Sequence, residues 1–169
     1  MTGIAPQLRI PVGIVVERQK AISVWADFLW RPIAVLAGVP DTPLWTLLSE
    51  ESGRATFYAG AADIELHRAE AANYRRNLES GKPMLWVALQ PTGGEPPYRL
   101  SAVTADPAEG EGFTEAGQAI VDAVPMTAAL HEAVAAFVAA HPSDTQFEKR
   151  QRDRADLEAL GRRRRGGPR

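Results

Sequence analysis

Between Ala61 and Gln90 the hydrophobic pattern changes period twice, and few folds accommodate such a chain. In Asp63-Ile64-Glu65-Leu66-His67 polar and apolar residues alternate, the pattern of a strand with one buried face and Asp63, Glu65 and His67 on the other. From Ala69 to about Ser80 the apolar residues Ala71, Tyr74 and Leu78 recur at three- and four-residue intervals, which predicts a helix with one core-facing stripe. Gly81 suits a left-handed helix end and Pro83 forbids continuation. Met84 to Leu89 is short and evenly apolar, so it reads as a strand covered on both faces.

The same reasoning extends along the chain. Leu8 to Arg18 alternates as a first strand, in which Pro11 and Gly13 mark an edge position or a bulge. Ala21 to Phe28 links it to a second strand, where Trp30-Arg31-Pro32 leads into Ile33 to Leu36. Trp45 to Leu48 suggests a helical turn, and Arg54 to Tyr58 with Ala62 to His67 suggests a hairpin turning at Ala59-Gly60-Ala61. Pro91 to Pro97 has loop composition and precedes a strand from Tyr98 to Thr104. Asp106 as cap, Pro107 at the first position and Glu109 as the returning partner of a capping box predict a helix towards Gly117. A strand from Ala119 to Val124 follows, and then a Thr127-capped helix with Leu130, Val134, Phe137 and Val138 on one face.

These elements predict one α+β domain: six or seven mainly antiparallel strands in a curved sheet or partial barrel, with helices from about 69, 107 and 128 packed on it. Residues 1 to 144 form the body, and 145 to 169 a basic extension, helical or disordered. The charge divides the same way. Residues 1 to 144 hold 10 Lys/Arg against 17 Asp/Glu, while 145 to 169 hold 9 against 4, ending in Arg162-Arg163-Arg164-Arg165. A basic tail on an acidic body attracts nucleic acid, an anionic surface or an acidic protein, or folds back on its own body. The arginine run lacks interleaved aromatics, so only weak, salt-sensitive nucleic-acid binding is expected.

The absence of cysteine excludes disulfides and thiolate metal sites. No apolar run approaches a bilayer span and the first residues lack signal-peptide character, which makes a cytoplasmic location the expectation. His67, His131 and His141 have no metal-ligand spacing, and neither Gly93-Gly94 nor Gly110-Glu111-Gly112 matches a phosphate loop, so no metal or cofactor is expected. The four tryptophans border strands and read as core before they read as a groove.

One candidate site remains. Helical spacing sets Glu70, Asn73 and Asn77 on a polar stripe beside Tyr74, with His67 and Arg68 just before it. His67, Glu70, Tyr74 and Asn77 can hold a small polar ligand, with Glu70 or His67 as acid or base, or the same groups can tie the helix to the sheet edge. Glu17 and Arg18 extend such a site or form a surface ion pair.

Several blocks in order resemble an uncharacterised bacterial family, a domain of unknown function (DUF3305): Val12 to Arg18, Trp30-Arg31-Pro32, Leu66 to Glu70, Tyr74 with Asn77-Leu78, Val103 to Pro107, Val124-Pro125-Met126 and Phe147 to Asp153. The resemblance covers about residues 8 to 154, with Ala71 standing where a threonine is expected and Thr127 where a second proline is. Members of the family are encoded beside molybdenum-dependent formate dehydrogenase genes. The resemblance therefore implies a non-enzymatic accessory or maturation factor that binds a formate dehydrogenase subunit or its assembly proteins. Phe147, Lys149, Arg150, Arg152 and Asp153 are the candidate contacts.

Overall fold

The computed structural model describes residues 4–142 apart from 23, 26 and 119. Seven strands form two antiparallel sheets, accompanied by three helices. The first sheet contains β1 (Leu8–Lys20), β2 (Phe28–Ala37), β3 (Thr46–Glu51) and β4 (Arg54–Leu66), in the order β2-β1-β4-β3. The second contains β5 (Met84–Pro91), β6 (Tyr98–Thr104) and β7 (Ile120–Pro125), in the order β6-β5-β7. The sheets meet along β4 with β6 and β2 with β7. Val12, Ile14 and Val16 of β1 pack into one core with Leu85, Val87 and Leu89 of β5. The α+β class, the strand count and the three helices agree with the pattern in the sequence.

Two local expectations are overturned. Residues 54 to 66 form no hairpin but one strand, in which Ile14 pairs with Gly60 and Val15 with Tyr58, so Ala59 is the extra residue of a bulge. Gly60 sits at a φ of 124°, a conformation that serves a bulge as well as a turn. Trp45 to Leu48 is not helical either. Trp45 takes a left-handed φ of 62°, its N–H donates to the Tyr58 carbonyl at 2.6 Å, and the chain leaves as edge strand β3.

The two prolines of the first hairpin find places where no ladder donor is needed. β2 pairs with β1 only from Gly13 onward, which leaves Pro11 beyond its end. Pro32 lies at the β2 irregularity, where Val15 pairs with Ala34 and Val16 with Pro32.

After β4 a single 3-10 turn, Arg68–Glu70, leads into α1 (Ala71–Glu79). Ala71 and Tyr74 are buried, and Tyr74 stacks edge-on against Phe137 of α3 (Ala128–Ala140). The Thr127 hydroxyl caps α3 through the Leu130 N–H, and the His141 ring stacks on Phe137 at its far end. α2 (Pro107–Glu115) lies across sheet two with Gly110 against Trp86. No helix among the described residues is long and apolar enough to cross a membrane.

Candidate functional site

The register of the first sheet brings the start of β1 beside the end of β4, since Leu8 pairs with Leu66. Gln7 therefore reaches the turn after β4, where its side-chain oxygen accepts the Arg68 N–H. The β6–α2 junction approaches from the other side. Between them opens a cleft of about 810 Å³ lined by Gln7, Glu65, His67, Arg68, Glu70, Asn73, Asp106 and Glu109, among others.

The groups on the α1 side are largely occupied by the fold. The buried Tyr74 hydroxyl accepts the His67 backbone N–H at 2.9 Å and donates to the Glu65 carbonyl at 3.5 Å. Burial pushes its pKa up to about 12, helped by the charges of Asp106, Glu109 and Glu70 and opposed by the His67 N–H. A phenol so held does not serve as a base near neutrality. Asn77 is only 4% exposed and forms a polar bolt: its amide donates to the Met84 and Ala105 carbonyls at 2.8 and 2.9 Å and its oxygen accepts the Met84 N–H at 3.0 Å. It ties the helix to the sheet, one of the two roles open to the stripe, and it lines a pocket other than the cleft.

Glu70 and His67 do reach the cleft. Glu70 accepts from the Asn73 amide at 3.0 Å, and the same amide donates to Asp106 Oδ2 at 3.2 Å. The His67 imidazole lies 3.8 Å from Glu65. Arg18 is elsewhere. Ten residues along β1 from Leu8, roughly 30 Å at strand rise, it stacks over Phe28, Phe57 and Trp30 at 4.5, 5.2 and 5.8 Å. Its neighbour Glu17 pairs with Arg31 at 3.2 Å.

Two members of the cleft escaped the sequence reading because capping already explained them. Asp106 does cap α2 through the Ala108 N–H, and its second oxygen takes the Asn73 bond. Glu109 closes no capping box. Thr104 intervenes: its hydroxyl accepts the Asp106 N–H at 3.1 Å and donates to Glu109 at 2.9 Å. Burial raises the Glu109 pKa, the Thr104 bond opposes this, Asp106 and Glu65 raise it further and His67 lowers it. The signal for Glu109 was its placement one turn after a cap whose strand ends in a hydroxyl residue.

Chemically the cleft is an acidic hollow with one arginine and one histidine on its margin, and burial raises the pKa of its Glu109. Among the described residues no group of three or more His, Asp or Glu is placed to hold a metal ion. The chain matches the family described as a protein of unknown function, DUF3305, over residues 11–151. It belongs to that family. No curated protein and no solved structure matches this DUF3305 chain. Phe147, Lys149, Arg150, Arg152 and Asp153, the candidate partner contacts, lie outside the described residues.

Proposed function

We propose that this DUF3305 protein works by binding another protein, as a non-enzymatic cytoplasmic accessory or maturation factor for a molybdenum-dependent formate dehydrogenase. The observation that carries the binding role is the apolar end of the first sheet. Ile22, Val24 and Trp25 between β1 and β2 are 107, 97 and 94% exposed, and Leu29 at the start of β2 is 59% exposed. The Lys20 N–H donates to the Gly53 carbonyl at 3.0 Å, which sets this tip beside the β3–β4 turn. β3 ends the sheet and carries the half-exposed Leu47 and Leu48. Large exposed apolar side chains near a strand that is the sheet's edge among the described residues favour a partner surface. The formate dehydrogenase is named as partner because of the company implied by the family resemblance.

Phe147, Lys149, Arg150, Arg152 and Asp153 are proposed as a second contact. The test is co-expression of the tagged full chain, and of a form ending at Ser143, with formate dehydrogenase subunits. Co-purification of a subunit with the full chain supports the role, and its loss on truncation assigns a contact to the tail. Absence of any subunit from both preparations overturns it.

A second reading, a small-molecule or catalytic role for the cleft, is favoured by one observation, the raised pKa of Glu109 next to His67 and Glu70. In that reading His67 and Glu70 face the ligand while Tyr74 and Asn77 hold their positions. Loss of a bound ligand in Glu70→Gln with unchanged melting supports it.

A further inference from the structure

A second hollow lies on the opposite side of the Asn73–Asp106 bond, and neither the apolar end nor the acidic cleft uses it. It measures about 370 Å³ and is bounded by Met84 and Trp86 of β5, the last turns of α1, Lys82, and Pro107 and Ala108 at the start of α2. Its character is the reverse of the cleft's: the lining is mainly apolar and its two formal charges, Arg76 and Lys82, are both positive. Neither cation has a carboxylate within ion-pair distance among the described residues, and Arg76 makes only a 3.4 Å bond to the Asn73 oxygen. The nearby Asp106 carboxylate is already taken by the Ala108 N–H and the Asn73 amide.

The indole is held in place. A Cβ on Gly110 would lie 2.3 Å from Trp86 Cγ, so the missing side chain is what lets α2 close on that ring. One part of Trp86 is packed under α2 and another borders the hollow. A rigid aromatic surface, an apolar volume within the range of small-ligand sites and two unpaired cations at the margin are complementary to one chemistry.

We infer that this pocket binds a small flat anion, an aromatic ring bearing one carboxylate or phosphate, with the ring against Trp86 and the anionic group between Arg76 and Lys82. Binding buries the ring without leaving a charge unpaired, because the guanidinium and ammonium both donate to the anion. An uncharged ring of the same size keeps the stacking and forfeits the charge-assisted bonds.

The full chain is titrated with 2-naphthoate, 2-naphthyl phosphate and the uncharged 2-naphthalenemethanol, following the Trp86 indole N–H signal assigned with Trp86→Phe. The expected result is a shift of that signal and a preference of about tenfold for at least one anion over the alcohol. The double variant Arg76→Ala/Lys82→Ala, both exposed positions, is expected to bind all three alike while melting as the parent does. Which anion is preferred tells a carboxylate site from a phosphate site. No Trp86 shift at millimolar ligand, equal affinity of acids and alcohol, or a preference that survives the double substitution overturns the inference. None of these outcomes bears on the protein-binding role, which does not use this pocket.

Discussion

Asn73 and Asp106 meet at 3.2 Å across the gap between α1 and the start of α2. The contact divides the surface there into an acidic cleft on one side and a cationic, apolar pocket on the other, since Asn73 and Ala108 line both. One turn further along α1, Asn77 joins the helix to the beginning of β5 and the end of β6. A stripe with the composition of a ligand site is therefore, for half its length, a structural joint.

Asn77→Ala removes three hydrogen bonds and strands the Met84 and Ala105 backbone groups in a buried setting. It should cost about 2–4 kcal/mol in denaturant unfolding. Asn73→Ala, in a half-buried position, should cost only about 1 kcal/mol while merging the cleft and the pocket.

Tyr74 makes the fold sensitive to alkali. In the unfolded chain its phenol ionises near 10.0, but in the folded protein only near 12. The folded state therefore binds the proton more tightly, and its stability is intact below the lower value and falls as pH rises to the upper one. The loss should approach about 3 kcal/mol. Tyr74→Phe should flatten this part of the pH–stability curve, and should lower stability at neutral pH by about 1–2 kcal/mol through the unpaired His67 N–H.

Gly110→Ala forces a methyl group into the Trp86 ring, with contacts of 2.3 to 2.8 Å that only a displaced α2 can relieve. A loss of about 1–3 kcal/mol is expected, together with a changed tryptophan emission spectrum.

The sequence was most informative where the determinants are local. Alternation up to Leu66, the helical stripe of Ala71 and Tyr74 and the Gly81–Pro83 stop all lie within a few residues of what they decide, and α1 with its flanking strands follows from them. Gly60 was illegible because a turn and a bulge ask for the same backbone, and only the pairing with β1, more than forty residues back, tells them apart. For Asn77 the sequence left two roles open, ligand contact or a tie between helix and sheet. Spacing put it on a polar stripe beside Tyr74, and only the fold brings the Met84 and Ala105 carbonyls, at the start of β5 and just past β6, onto its amide. Asp106 and Glu109 had a sufficient local explanation as caps, which hid their part in the cleft. Ile22 and Val24 looked like a link between strands, and only the fold leaves them in water.

The central claim is that the apolar end of the first sheet receives a partner protein. Its most direct test compares the full chain with Ile22→Asp/Leu29→Asp, each co-expressed with formate dehydrogenase subunits and resolved by size-exclusion chromatography with light scattering. Both positions are exposed, so the variant should melt as the parent does, within about 0.5 kcal/mol. The expected result is a complex for the parent and free protein for the variant. A complex of unchanged size and yield with the variant would contradict the account.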